Sequence, residues 1–291
     1  MKKIAIIGGT GMLGQPVVKE FINANIQVSL LVRDVDKAKQ IFGSKLQIKK
    51  VNLEDINSIR HVLEGEEAIY LNLSVKQKSS KSEFQTEREG LDNILQALQS
   101  SSIKRIGYIS SLVQFYQGQN GFYWWVFDLK EKAVAKIKNS GFTYSIFYPS
   151  TFMENFDKGA YRQDDKILLA GESKFKMYLI ACADYAKQVV RAFQLDNGNQ
   201  EYVIQGVEGF TADEAAQYYI DNYSKSKLKI MKAPIGLLKF FGIFSHKYNY
   251  GAHIVEALNL YPEKFEAEKT WNDLGKPEIK FLDYIKNSIM V

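Results

Sequence analysis

Short apolar runs alternate with longer amphipathic segments along the first half of this chain. A run of about five apolar residues predicts a buried strand, whereas apolar positions three and four apart predict a helix with one buried face. Strands are predicted near residues 4–8, 27–32, 46–51, 67–73, 104–110 and 142–148, and helices near 13–24, 55–63, 83–101 and 127–140. Since each connection is long enough for a crossover helix, we predict an α/β fold with a doubly wound, mainly parallel sheet.

After residue 150 the pattern loosens into segments that are rich in glycine and aromatic residues. One more strand is predicted at Tyr202-Val203-Ile204, and Thr211 before Asp213-Glu214 is typical of a helix N-cap. These features indicate a smaller C-terminal lobe added to the sheet.

The first strand leads directly into a glycine-rich turn and then into a helix. Gly8, Gly11 and Gly14 give the spacing G-x-x-G-x-x-G. Glycines at such positions let backbone N–H groups approach a pyrophosphate at the N-terminus of the next helix. We predict that this turn binds a dinucleotide, the alternative being an ordinary strand-to-helix turn. The candidate contacts are Gly8, Thr10, Gly11, Met12, Leu13 and Gly14.

Arg33 follows the second predicted strand, where this type of fold distinguishes its two cofactors. An acidic residue there binds the ribose of NAD, whereas an arginine accommodates the 2′-phosphate of NADP. Arg33, assisted by Lys37, therefore favours NADP(H), with NAD(H) as the alternative. Asp34 is interpreted in three ways: as a cap of the next helix, as an ion-pair partner of Arg33, or as a ribose ligand.

Ligands of parallel sheets bind at the carboxyl ends of the strands. Further candidate cofactor contacts are therefore the residues predicted at those ends: Asn52, Leu53, Leu73, Ser74, Ser110, Tyr148, Pro149 and Ser150.

Charge and composition exclude several other classes of protein. The net charge of +5 comes from 38 basic and 33 acidic residues that are interspersed, so no nucleic-acid partner is expected. The one cysteine, Cys182, lies in an apolar setting, and no metal-ligand spacing occurs, so we expect a structural thiol and no metal. The longest apolar stretch, Ile235 to Phe244, is too short to span a bilayer, so we expect a cytoplasmic protein without a membrane partner.

The sequence resembles the NmrA-like, isoflavone-reductase-like family of atypical short-chain dehydrogenases/reductases. The motifs that carry the resemblance are the glycine turn, Val32-Arg33, Tyr108 to Ser111, Lys130, and Tyr148 to Asn155. Two departures are Tyr148, where the family often has arginine, and Asn52, where aspartate is common.

The resemblance implies an NAD(P)-binding Rossmann domain over residues 1–150 and a lobe over 151–291 that mainly binds substrate. Segments near 178–206 are expected to return to the Rossmann core. The resemblance also adds Phe152 to the candidate cofactor contacts.

Typical short-chain dehydrogenases pair a tyrosine with a lysine four residues later, but this chain has no such pair near Lys130. Tyr123 lies seven residues before Lys130, on nearly the same helical face but two turns away. The family resemblance implies that Lys130 contacts the nicotinamide ribose and polarises a substrate oxygen. Lys130 and Tyr123 are therefore the candidate catalytic residues, and a solvated charged helix is the alternative for Lys130.

Two apolar segments have several interpretations. The aromatic cluster, defined as Phe115, Tyr116, Phe122, Tyr123, Trp124, Trp125 and Phe127, is interpreted as a substrate wall or as core. Pro234 to Phe244 is interpreted as a helix that covers the pocket, contacts a second copy, or packs within the lobe.

The sequence thus predicts an NADP(H)-dependent oxidoreductase that reduces a carbonyl or conjugated small molecule. A non-catalytic NADP(H)-binding sensor that acts through a protein partner is the alternative, and a sugar-nucleotide epimerase is a third possibility. A monomer or a homodimer is expected.

Overall fold

The computed structural model describes residues 1–44 and 46–290, so Val291, the end of the expected lobe, lies outside the described residues. Seven parallel strands form the central sheet, in the order β3-β2-β1-β4-β5-β6-β10. The strands of the chain are β1 (Lys3–Ile7), β2 (Gln27–Val32), β3 (Gln47–Lys50), β4 (Ala68–Leu71), β5 (Arg105–Ile109), β6 (Thr143–Pro149), β7 (Arg162–Gln163), β8 (Lys166–Ala170), β9 (Met177–Tyr178), β10 (Gln200–Ile204), β11 (Gly209–Phe210) and β12 (Lys229–Ala233).

Helices connect these strands and cover both faces of the sheet. They are α1 (Gly14–Asn23), α2 (Val35–Phe42), α3 (Ile56–Val62), α4 (Leu91–Leu98), α5 (Trp125–Lys138), α6 (Cys182–Gln194), α7 (Ala212–Asn222), α8 (Ile235–Gly242), α9 (His246–Leu260), α10 (Glu268–Leu274) and α11 (Phe281–Met290). One core packs α1 and α6 against the sheet, and the other packs α3, α4 and α5 against the opposite face. The predicted doubly wound Rossmann fold is confirmed.

The predicted strands, including Tyr202-Val203-Ile204, all lie in the central sheet. The helix predicted near 83–101 is instead a π-helical turn over Thr86–Gly90 that continues into α4. Helix α2 is absent from the predicted set, because its eight residues give too short a pattern, although Val35, Ala38 and Phe42 do form an apolar face on the core.

The chain after residue 150 builds smaller elements and also returns to the central sheet. β7, β8 and β12 form a three-stranded sheet, and β9 pairs with β11. Helix α6 packs on α1, β10 becomes the outer strand beside β6, and α10 packs on both α6 and β10. Thr211 caps α7 in a capping box with Glu214, as its spacing predicts.

Candidate functional site

The glycine turn is folded tightly against the end of β4. Gly8 has φ +82°, and a Cβ added there would lie 2.1 Å from the carbonyl oxygen of Asn72. A Cβ at Gly14 would lie 2.3 Å from the carbonyl oxygen of Gly8. At Gly11, by contrast, a Cβ would meet only that same Gly8 oxygen, at 3.5 Å. Gly8 and Gly14 are therefore required by the turn itself, whereas Gly11 leaves space for a ligand.

The backbone donors of this turn are only partly used within the protein. The N–H groups of Gly14 and Gln15 donate to the Gly11 carbonyl at 3.1 and 3.0 Å. Those of Met12 and Leu13 have no acceptor within residues 1–44 and 46–290, and no side chain caps α1. Donors at a helix N-terminus with room beside them fit a pyrophosphate. The residues present thus fit a dinucleotide.

Arg33 is exposed directly after β2. Its side chain has no hydrogen bond or ion pair to any residue that the structure describes. Asp34 caps α2 by accepting the N–H of Lys37 at 3.0 Å, so of its three interpretations the structure shows the cap. Lys37 is exposed in the first turn of α2. The guanidinium is thus available to a phosphate at this end of the sheet.

The predicted contacts after β3 and β4 divide between the core and the surface. Leu53 and Leu73 are buried in the core that packs α3 and α4. The Asn52 side chain accepts the N–H of Glu54 at 3.1 Å, and Ser74 is exposed. Sequence reasoning missed Asn72, whose side-chain amide donates to the Gly8 carbonyl at 3.4 Å. A polar residue inside the run Leu71-Asn72-Leu73 was the available signal.

The residues after β5 and β6 are largely occupied by partners within the protein. Ser110 Oγ donates to the buried Gln114 at 2.7 Å, and Ser150 Oγ donates to Glu263 at 2.9 Å. The Tyr148 hydroxyl donates to Glu201 at 2.7 Å, and burial, followed by that carboxylate, raises the pKa of Tyr148. Pro149 ends β6 as a buried residue.

Phe152 lies in the core, where its ring packs edge-on against Tyr185 at 5.4 Å. The cofactor roles of these residues stay predictions.

Lys130 makes an ion pair that the sequence did not indicate. Its Nζ lies 2.7 Å from Oε1 of Glu87, whose side chain is fully buried in the π-helical turn. The Tyr108 hydroxyl, near the end of β5, donates to the same oxygen at 2.7 Å. Burial, followed by the Glu87 charge, raises the pKa of Tyr108, so this hydroxyl remains a neutral donor. The three residues form one connected group, which we name the Glu87 cluster.

Helix α9 brings the C-terminal lobe to the Glu87 cluster. Burial, followed by the charge of Glu87, raises the pKa of Tyr250 in this helix to about 12. The other carboxylate oxygen of Glu87, Oε2, is buried without a hydrogen-bond partner among the described residues. A buried carboxylate normally accepts hydrogen bonds at both oxygens, whereas Glu87 is stabilised in the described part of the chain only through Oε1, by Lys130 and Tyr108.

The structure corrects the predicted arrangement of Tyr123 and Lys130. Helix α5 begins at Trp125, so Tyr123 lies outside it and the two side chains do not share a helical face. Tyr123 is 59% exposed. No tyrosine hydroxyl in the described part of the chain forms a hydrogen bond with Lys130, whose partner is the carboxylate of Glu87.

Most of the aromatic cluster is core. Tyr116, Phe122, Trp124 and Phe127 are buried against α9, where Trp124 stacks on His253 at 5.6 Å. Phe115, by contrast, is exposed and packs its ring against Tyr148 at 5.1 Å.

Glu263 is a second carboxylate that sequence reasoning missed. It accepts hydrogen bonds from Ser150 at 2.9 Å, from the Gln205 side chain at 2.7 Å and from the N–H of Tyr178 at 3.2 Å. Burial nonetheless raises its pKa. These bonds tie the segment after α9 to the ends of β6 and β10. The carboxylate therefore has a structural role beside the site.

Three further predictions concern the cysteine, a metal site and a membrane-spanning helix. Cys182 is buried at the start of α6, and burial raises the pKa of its thiol. No cluster of histidine, cysteine, aspartate and glutamate that could hold a metal occurs among the described residues. None of the described helices is both long and apolar enough to cross a membrane.

Comparisons with known proteins agree with this geometry. The model of a family described as NAD(P)H-binding matches residues 8–196. The photosystem II assembly factor Ycf39 of Synechocystis sp. is 24% identical over 253 residues, which cover 85% of this chain and 76% of that protein. Among solved structures, Citrobacter sp. triphenylmethane reductase complexed with NADP(H) superposes with a TM-score of 0.75 at 15% identity, covering 98% of this chain and 99% of that one.

A second solved structure is the NADPH-dependent quinone oxidoreductase QOR2 of Escherichia coli complexed with NADPH. It superposes with a TM-score of 0.72 at 19% identity and covers 98% of this chain and 99% of the other. At these identities the structural matches show a shared fold, whereas the family match covers most of the chain. The chain belongs to the NAD(P)H-binding family whose model matches residues 8–196.

Proposed function

We propose that this protein is an NADP(H)-dependent reductase of a carbonyl or conjugated small molecule. The observation that carries the proposal is the ion pair of Lys130 with the buried Glu87, at the same edge of the sheet as the glycine turn. Bound NADPH would supply a hydride. The triphenylmethane and quinone reductases that share the fold act on conjugated molecules by their names, which supports this substrate class.

The glycine turn would hold the pyrophosphate through the N–H groups of Met12 and Leu13. Arg33 would hold the 2′-phosphate. A lysine ammonium has three N–H donors, and Glu87 takes one from Lys130. The other two are available to a ribose hydroxyl and to the substrate oxygen, on which negative charge develops during reduction.

The Glu87 cluster fixes the position of this ammonium. Because Glu87 is fully buried and also accepts from Tyr108, its carboxylate has little freedom to move. A charged group held in place before reaction stabilises developing charge without reorganisation. Lys130 is therefore better explained as part of a reactive site than as part of a solvated charged helix.

The test of this function is steady-state consumption of NADPH by the purified protein with a panel of quinones, enones, aldehydes and ketones. We expect turnover with at least one class and a slower reaction with NADH. A sugar nucleotide is assayed separately for its epimer by chromatography, because an epimerase returns the hydride to its substrate and consumes no NADPH. Epimer formation without NADPH consumption would favour an epimerase.

A non-catalytic NADP(H)-binding sensor is the second candidate. The observation that favours it is the position of Tyr123, outside α5 and without a bond to Lys130. Tight NADPH binding with no oxidation across the panel would support the sensor and contradict the reductase.

Arg33→Ala is expected to weaken NADPH binding by about tenfold to a hundredfold, the loss that follows removal of one charge-assisted hydrogen-bond pair. NADH binding should change less than threefold, because NADH has no 2′-phosphate. Calorimetric titration of both cofactors measures this difference. Arg191→Ala, at an exposed arginine of α6, is the matched control. An equal loss for both cofactors would make Arg33 a general contact and remove the argument for NADP.

A further inference from the structure

Helices α8 and α9 form a hairpin with an uncovered apolar tip. The helices meet closely at Gly242, where a Cβ would lie 3.0 Å from the Cα of Asn249. Ile243 and Phe244, in the turn between them, are 74% and 77% exposed. The residues that we name the hairpin tip are Leu237, Phe240, Phe241, Ile243, Phe244 and Tyr248, all exposed.

The tip departs from an ordinary surface. Single exposed apolar side chains are normal, whereas a contiguous group of large ones marks an interaction site. Phe240 packs against Phe241 and Phe244, with ring centroids 5.6 and 5.8 Å apart, and Phe241 lies 5.9 Å from Tyr248. The exposed rings are therefore one continuous patch. Packing within the lobe, one of the three interpretations of Pro234 to Phe244, explains only the side of α8 that faces α9. It leaves the exposed side chains of the tip unexplained.

The segment that carries the tip is basic. Residues 222–255 contain no aspartate or glutamate and six lysines: Lys225, Lys227, Lys229, Lys232, Lys239 and Lys247. Lys232 and Lys239 are paired with Asp213 and Glu256. The other four have no ion-pair partner in the described part of the chain. A patch of aromatic and aliphatic side chains in a lysine-rich segment matches the headgroup and acyl boundary of an anionic lipid layer.

A second basic loop lies beside the hairpin. Hydrogen bonds from Ser80 lower the pKa of Glu83, and the nearby charge of His246 at the start of α9 lowers it further. The loop that carries Glu83 also contains the exposed Lys76, Lys78 and Lys81. Residues 76–83 carry three lysines and one glutamate, so this loop is basic as well.

We propose that the hairpin tip docks on an anionic membrane surface, with its apolar side chains in the interface and the surrounding lysines on lipid headgroups. A second copy of the chain fits less well, because residues 222–255 contain six lysines and no carboxylate, and two such segments repel each other. The expectation of no membrane partner rested on the lack of a spanning segment, whereas this contact requires none.

The test is flotation of the purified protein with vesicles of equal parts phosphatidylglycerol and phosphatidylcholine, and with vesicles of phosphatidylcholine alone. We expect flotation with the mixed vesicles only, decreasing as salt is raised. Ile243→Ser combined with Phe244→Ser should lower the partition coefficient at least about tenfold. Lys247→Ser should lower it about fivefold.

The matched control is Ile22→Ser with Phe175→Ser, at exposed apolar positions outside the tip. It should float within about twofold of the unchanged protein. Circular dichroism and NADPH binding check that the tip variant is folded, which is expected since both side chains are exposed. Absence of flotation with the mixed vesicles, or equal flotation of the tip variant, overturns the proposal. A dimer in sedimentation that the tip variant loses, without flotation, assigns the surface to self-association instead.

Discussion

Gly14→Ala is expected to destabilise the protein by about 3 kcal/mol or more and to abolish NAD(P)H binding. The added Cβ would lie 2.3 Å from the Gly8 carbonyl oxygen and 2.6 Å from the Gly9 Cα, and neither backbone atom belongs to a flexible side chain. The turn must therefore open, which displaces the N–H groups of Met12 and Leu13. Urea unfolding measures the first effect, and calorimetric titration with NADPH measures the second.

Gly11→Ala separates the two roles of the turn. Its Cβ would meet only the Gly8 carbonyl oxygen, at 3.5 Å, which is an ordinary contact. We expect the free energy of unfolding to change by less than about 1 kcal/mol, while NADPH binding weakens at least about tenfold because the methyl group occupies ligand space. Full NADPH binding by Gly11→Ala would show that the cofactor does not approach this face of the turn.

The central sheet was predictable from sequence because its strands are buried on both faces. Such strands are continuous apolar runs, as Ile4-Ala5-Ile6-Ile7 is. They can be recognised without an alternation of apolar and polar residues. The glycine turn was predictable for a related reason, since its backbone geometry excludes side chains and so restricts the residue type.

The carboxylates of the site were not predictable in this way. Glu87 stands in Thr86-Glu87-Arg88-Glu89, a polar segment that is typical of an exposed helix, and only the π-helical turn directs its side chain inward. Glu263 follows Pro262 in a segment without periodicity, and its partners lie 58 and 113 residues away. Contacts between residues so far apart in the chain are decided by packing, which a single sequence does not display.

The misplacement of Tyr123 has a local cause. The spacing of seven residues to Lys130 suggested one helical face, but a helix boundary two residues to the C-terminal side removes Tyr123 from that face. Helix ends are the least certain part of any sequence-based assignment, so a geometric argument that depends on one is fragile.

Lys130→Met is expected to lower kcat by at least a hundredfold and the stability by about 3 kcal/mol. The stability falls because Glu87 is then a buried carboxylate without its counter-charge. The loss in kcat has another cause, the missing N–H donors for the substrate oxygen. Steady-state kinetics and urea unfolding of the same variant measure the two losses.

Adding Glu87→Gln to Lys130→Met separates these two causes. Replacing both partners of a buried ion pair by neutral groups of similar size costs far less than removing one, so the double variant should regain most of the stability. It should not regain activity, because methionine has no N–H to offer the substrate. If activity returned along with stability, Lys130 would be a structural residue and the reductase site would have to be sought elsewhere. If Lys130→Met kept full turnover, the Glu87 cluster would serve the fold alone, because positioning an ammonium matters to a reaction only where that ammonium contacts the reacting molecules.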